Sequence, residues 1–221
     1  MKSKLVIILL VIVLACSMAV FFWDKIAAFS VNRFTDYGVA YDKWVGNPFG
    51  KSEIEGLSLE LKNEGILIKA NQTLFNFRTG RLLRQGQLFL GCEMKGVSFA
   101  FTGKSQPDTN SADDILAIPF GPGQKYERIT FTASLDKKTL KVSDFRADSK
   151  DVLMRGDYTL IRGKNEIAID LKISFSPEMA DLFAEDIKNN VLSLDEEGWY
   201  STIINYKGNP VFLKALYSLA A

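Results

Sequence analysis

The side chains best suited to acid–base or metal chemistry in this chain are carboxylates, because none of its 221 residues is a histidine. Without imidazole, the usual serine and cysteine triads lose their base. Histidine metal sites and the commonest general acid–base group go with it. Three acidic groups remain: Asp113 with Asp114, Asp181 with Glu185 and Asp186, and Asp195 with Glu196 and Glu197. Carboxylates so spaced could exchange protons or hold a hard cation such as calcium. Each group falls in a stretch patterned as turn, loop or outer helix face, however, where charged residues are normally solvated. Gly121-Pro122-Gly123-Gln124-Lys125 has the glycines of a phosphate loop but lacks both the Gly-Lys-Ser/Thr ending and a following helix. The expectation is a protein that is not an enzyme and carries no catalytic residue, no metal ion and no cofactor.

Charge and cysteine content narrow the field further. Lys and Arg number 27 against 26 Asp and Glu, and neither sign forms a long block, so no nucleic-acid partner is expected. The two cysteines are Cys16 and Cys92. Cys16 sits in a wholly apolar run, which makes a disulfide to Cys92 implausible, and Cys92 reads as a small buried residue. Asn71-Gln72-Thr73 matches a glycosylation triplet, a pattern common by chance.

That apolar run, Leu5 to Trp23, contains no charge. As a helix, about 19 residues extend roughly 29 Å, close to the thickness of a bilayer's hydrocarbon core. Leu5 and Leu14 lie in its apolar body, and Phe21, Phe22 and Trp23 stand at the level of the headgroups. Lys2 and Lys4 favour keeping the leading end in the cytoplasm. A cleaved signal ending at Ser17-Met18-Ala19 and a lipoprotein acylated at Cys16 are alternative readings. All three export the rest of the chain. The expected organisation is a cytoplasmic end over residues 1–4, a single-pass membrane anchor over 5–23, a juxtamembrane connector over 24–50 and one exported β-rich domain over 51–221.

From Ile54 the hydrophobic period is two, the signature of strands with one wet face. Leu57, Leu59 and Leu61 alternate with polar residues, and Ile66 to Ala70 reads as the hairpin partner. Phe75 and Phe77 continue it or begin a third strand. Gln87–Cys92 and Val97–Thr102 read as a pair about Gly96. Residues 103–125 break the rhythm with three prolines, leaving only Ile115 to Ile118 apolar enough for a short strand. Two hairpins follow, Arg128–Leu135 with Thr139–Phe145, and Leu153–Ile161 with Glu166–Phe175. One helix is expected after a Ser176 cap, with Pro177 in its first turn, Met179, Leu182, Phe183 and Ile187 on its apolar face, and an end near Asn189-Asn190. A strand over Trp199–Tyr206 and an apolar tail over Val211–Leu219 close the chain. The fold class is therefore mainly β: a transmembrane helix, then a curved antiparallel meander, with one amphipathic helix near the C-terminus.

Two stretches carry a family resemblance. Ile54-Glu55-Gly56-Leu57-Ser58-Leu59-Glu60-Leu61, leading through Ala70 and Phe75 to Gly86-Gln87-Leu88-Phe89-Leu90, resembles the start of AsmA-like envelope proteins and of type II secretion system protein N. Gly156-Asp157-Tyr158-Thr159-Leu160, the alternating strand after it, and Gly198-Trp199-Tyr200 through Lys207-Gly208-Asn209-Pro210 are similar to their ends. The resemblance implies an elongated curved sheet with an apolar concave face, standing in the periplasm on the inner (cytoplasmic) membrane. It also implies a role in lipid transport and envelope maintenance, or as an accessory of a secretion machine. Two expectations result. In the first, an inward row of Leu57, Leu59, Ile66, Ile68, Phe75, Phe77, Phe99, Phe101, Phe131, Ile169, Leu171 and Ile173 lines a lipid-binding groove, which requires an unfilled apolar cavity. In the second, the domain is a scaffold for an envelope protein partner, with a dry core and a docking surface.

Overall fold

The structure is a computed structural model that describes residues 37–47, 50–61, 66–78, 86–101, 118–120, 123–161, 164 and 166–208, with 25, 28, 29, 32 and 33. The anchor stretch 5–23, including Leu5, Leu14, Phe21, Phe22 and Trp23, lies outside the described residues. So do Asp113, Asp114, Ile115 and the tail after Gly208. Among the described residues no helix is long and apolar enough to cross a membrane.

Alternation of apolar and polar residues produces a single antiparallel sheet of eleven strands. These are β1 Tyr37–Ala40, β2 Lys43–Gly46, β3 Lys51–Leu61, β4 Ile66–Phe77, β5 Leu88–Phe101, β6 Lys125–Leu135, β7 Thr139–Asp148, β8 Val152–Ile161, β9 Glu166–Phe175, β10 Ser193–Leu194 and β11 Tyr200–Gly208. From β3 to β9 each strand pairs with the next, the meander expected from the sequence; β11 then joins β9, and β10 joins β11. At the other edge β1 and β2 both pair with β3, from Tyr37 opposite Leu61 to Gly46 opposite Ser52. The stretch read as a connector thus supplies the sheet's edge, and the sheet begins before residue 51.

A crease crosses five of these strand segments. Strict alternation spaces inward residues two apart, but along this line they are three apart: Tyr41 and Trp44, Ile54 and Leu57, Ala70 and Thr73, Met94 and Val97, Tyr126 and Ile129 all sit in the core, at its margin or fully buried. Each intervening pair turns outward, and across the ladder these pairs face one another, as Lys43 with Glu55 and Gln72 with Lys95. The left-handed backbone of Gly56 (φ 63°) and Gly96 (φ 60°) makes the step feasible, since a residue with a Cβ resists that conformation. The crease places Ile68 and Phe75, which are seven residues apart on β4, on the same face. It also corrects one expectation. Gly96 does not separate two strands; β5 runs unbroken for 14 residues through it.

The inward face closes into a core at one end of the sheet, where Val97, Ala147, Val152, Met154, Ile173 and Phe175 are fully buried. The segment after β9 covers this end. Ser176 caps α1 (Pro177–Ala180) by accepting from the Met179 amide at 3.2 Å, as its sequence position implies. The single helix expected from the sequence is nevertheless two short ones, α1 and α2 (Glu185–Asn190). Tight turn bonds from Leu182 to Met179 and from Phe183 to Ala180 end the first helix. That break turns Leu182 out to 64 % exposure while Phe183 and Ile187 stay buried, which corrects the reading of Leu182 as a core residue. Near the same end, Ile118–Phe120 forms a 3-10 turn, the short strand expected over Ile115 to Ile118 lying mostly outside the described residues, and the buried Tyr126 hydroxyl donates to the Pro119 carbonyl at 2.8 Å.

Candidate functional site

The inward row expected to line a groove does share one face of the sheet, but most of it is occupied with packing. Leu57, Phe99 and Ile173 are buried in the core, and Leu59, Ile68, Phe75, Phe131 and Leu171 are partly buried and pack against it. Phe77 and Ile169 are half-buried further along the face, with the Phe77 ring 6.3 Å from that of Phe75. Ile66 and Phe101 pair with each other across β4 and β5; their side chains lie outside the described residues. Cys92, also on this face, is 6 % exposed, and burial pushes its thiol up to about 12.

Two of the three acidic groups fall within the described residues, and Asp195 and Asp181 each have local partners. Asp195 accepts from the Trp199 amide at 2.8 Å and the Glu197 amide at 3.1 Å, closing the turn between β10 and β11, and its other oxygen faces Lys172 at 3.9 Å. Asp181 pairs with Lys188, whose ammonium is held above its ordinary value by that hydrogen bond and lies 4.7 Å from the centre of the Tyr200 ring. Glu185 and Asp186 are exposed in the first turn of α2, a favourable position for negative charge. Among the described residues no three acidic or cysteine side chains are placed to hold a metal ion.

A groove of about 840 Å³ is present on the opposite, polar face of the sheet. Its floor follows two rows across the ladder. One runs Glu53, Leu74, Glu93, Thr130, Arg146; the other runs Lys51, Asn76, Gly91, Thr132. Val45 and Gly46 of β2 bound one side, and Asp144, Arg146 and Asp148 of β7 bound the other. Ser52, Phe75, Cys92 and Phe131 border it as strand neighbours, although alternation assigns their side chains to the other face.

A bulge in β7 shapes the far wall. The register slips by one residue against β6, between Thr130 and Thr132, and against β8, between Val142 and Phe145. Asp144 takes up the extra length at φ 54°, and among the described residues no other non-glycine has positive φ. Its amide donates to the Asp157 carboxylate at 3.0 Å, so the extra residue's own backbone donor is satisfied. A bulge of this kind re-aims the side chains around it, and here it sets Asp144 and Arg146 together on the groove wall.

Most charges of the groove are already compensated. Glu93 pairs with Arg128 at 3.1 Å and with Lys95 at 4.0 Å, Asp148 pairs with Arg155, and Glu53 accepts from Gln72 at 2.5 Å. Among the described residues Lys51 and Arg146 make no ion pair, and the Asp144 carboxylate accepts no hydrogen bond. Sequence reasoning missed this site. Its residues look like any wet strand face, and only the three-residue steps in the apolar pattern, at Ile54–Leu57 and at Met94–Val97, hinted that the sheet bends beside it.

Compared with models of protein families, with curated proteins and with solved structures, the chain matches none.

Proposed function

We propose that this chain is a membrane-tethered, non-enzymatic scaffold domain of the cell envelope, and that the polar groove is its working surface. One observation carries the reading: the groove lies on the face opposite the core, while the apolar row that a lipid carrier would keep open is largely spent on internal packing. A scaffold needs a dry core and a shaped polar surface on which a partner can dock. The anchor read at residues 5–23 keeps that surface close to the periplasmic side of the inner membrane.

The test is photo-crosslinking from single sites in the full-length protein in its host membrane. Probes at Leu74 and Thr132, in the groove, are expected to trap a protein, and a probe at exposed Lys207 is not. A lack of adducts from both groove sites would sink the scaffold reading. A second reading, lipid handling, is favoured by the half-buried far end of the apolar face around Phe77 and Ile169. It expects lipid adducts from Phe131 and Leu171 instead, and a lipid that survives native mass spectrometry of the intact chain.

A further inference from the structure

The residual charge of the groove specifies more than a polar surface, and the ligand it selects rests on the reading of the groove as the working surface. Once ion pairs are set aside, two cations and two anions are left: Lys51 and Glu53 on β3, where Glu53 accepts from the neutral Gln72 amide, and Arg146 and Asp144 together on β7. Arg146 and Asp144 are two residues apart on the bulged strand, and both are exposed.

We infer that this end of the groove binds a small zwitterion, with a phosphate or carboxylate on the Arg146 guanidinium and an ammonium on the Asp144 carboxylate. Guanidinium presents a planar fork of donors that suits an oxyanion, which a lone ammonium does not. A polyanion is disfavoured, because Glu53, Glu93 and Asp148 line the same space and would repel every charge beyond the first. A simple cation is disfavoured by Arg146 and Lys51. A ligand carrying both signs close together satisfies Arg146 and Asp144 at once and adds no net charge to a nearly balanced site. Thr130, Thr132 and Asn76 on the floor offer further donors and acceptors to its polar body, and about 840 Å³ is ample room for it. The chemistry is that of phosphoethanolamine, either free or as a lipid headgroup.

The experiment is calorimetric titration of the full chain in a sugar-based detergent with O-phosphoethanolamine, inorganic phosphate, ethanolamine and short-chain phosphatidylethanolamine. O-phosphoethanolamine is expected to bind at least tenfold tighter than phosphate or ethanolamine alone. Arg146→Gln and Asp144→Asn should each weaken it about tenfold, while Lys207→Gln leaves it unchanged. Because Asp144→Asn keeps a residue that tolerates the left-handed backbone, unchanged thermal melting of that variant separates lost binding from lost folding. Binding of the free compound without the lipid identifies a soluble ligand, and binding of both identifies a headgroup; either supports the proposal. Equal, weak binding of all four compounds, or no effect of Arg146→Gln, overturns it. Protein crosslinks from Leu74 and Thr132 that persist in Arg146→Gln would then show that the scaffold reading stands without the zwitterion.

Discussion

The carboxylate of Asp42 occupies the place that a Cβ on Gly56 would take, and one strand further on the amide of Asn71 does the same above Gly96. Both glycines hold positive φ on the crease, so each is needed twice over, for its backbone angle and for its missing side chain. Gly86 has a similar φ of 64° with nothing among the described residues within 4 Å of a Cβ, and isolates the first cost. Gly86→Ala should destabilise by about 1–2 kcal/mol, the penalty of a left-handed L-residue. Gly96→Ala should cost clearly more, roughly 3 kcal/mol or above, since the overpacking term adds to the strain. Adding Asn71→Gly to Gly96→Ala should recover part of that loss. Urea melts of the three variants check this, and equal costs at Gly86 and Gly96 would refute the account of the crease.

Thr73 lies on the inward side of the crease, fully buried, and its hydroxyl finds no hydrogen-bond partner among the described residues. A buried orphan hydroxyl costs about 1–3 kcal/mol of desolvation, while valine has nearly its shape without that cost. Thr73→Val should therefore leave stability unchanged or raise it by up to about 1 kcal/mol, against the general trend for core substitutions. A fall in the denaturation midpoint would mean that the hydroxyl has a partner.

Cys92 gives the fold a defined alkaline limit. Burial raises its thiol from 9.0 to about 12, with the neighbouring Glu93 charge adding to the rise. The folded state therefore keeps its proton where the unfolded chain has lost it. The contribution is intact below pH 9 and shrinks as pH climbs toward 12, at up to about 1.4 kcal/mol per unit. Burial shifts Tyr126 in the same direction and adds a like-signed loss above pH 10. Unfolding free energies at pH 8, 9.5 and 11 should fall more steeply for the wild type than for Cys92→Ala, which retains only the tyrosine contribution. Parallel slopes for the two proteins would contradict the burial argument.

The bulge in β7 is held by one side chain. Asp157 on β8 accepts from the Asp144 amide at 3.0 Å, and removing it leaves that donor without its charged acceptor beside a strained backbone. Asp157→Ala should cost about 0.5–1.5 kcal/mol, the range for a typical hydrogen bond, because this one is exposed and water can replace the acceptor. It should also weaken any ligand of the groove by displacing Asp144, whereas Asp144→Gly, which relieves the strain, should hold or raise stability. Hydrogen exchange at the Asp144 amide gives the local readout; protection unchanged in Asp157→Ala would dismiss the bond.

The sheet was legible in the sequence because β8 and β9 repeat their apolar residues at period two in unbroken register, and the hairpin between β6 and β7 closes as read. At the β6–β7 turn, for example, Asp136 accepts from the amides of Lys138 and Thr139. The crease was not legible as a crease. Gly96 carries the same local signal whether it ends a strand or bends one, and only the pairing of Lys95 and Val97 on either side of it with β4 and β6 decides between them. The strands β1 and β2 were hidden for a related reason, since Gly38 and Gly46 mark turns by composition while an open edge on β3 recruits the stretch into the sheet. The groove was least visible of all. A one-residue slip in β7 brings Asp144 and Arg146 to it, and its only trace in the sequence is a three-residue step from Val142 to Phe145 at the end of the stretch read as a strand.

The helical segment shows how a local pattern fails at the step where tertiary packing chooses. Met179, Leu182, Phe183 and Ile187 fit one helical face equally well by spacing, yet the chain breaks after Ala180, which sends Phe183 inward and Leu182 outward. The Phe183 ring meets that of Phe175 edge-on at 5.0 Å, and Phe175 is fully buried at the closed end of the sheet. Phe183→Ala should cost about 3–5 kcal/mol, through lost transfer energy and the cavity left against Phe175. Leu182→Ala should fall within about 0.5 kcal/mol of the wild type, as surface changes do. A continuous helix of the kind the periodicity suggests would make the two costs similar, so the pair of denaturation curves decides between one helix and two. If Phe183→Ala also opened the apolar face enough for a fluorescent fatty acid to bind, the dry core would owe its closure to this single ring, and lipid handling would need only the displacement of α1.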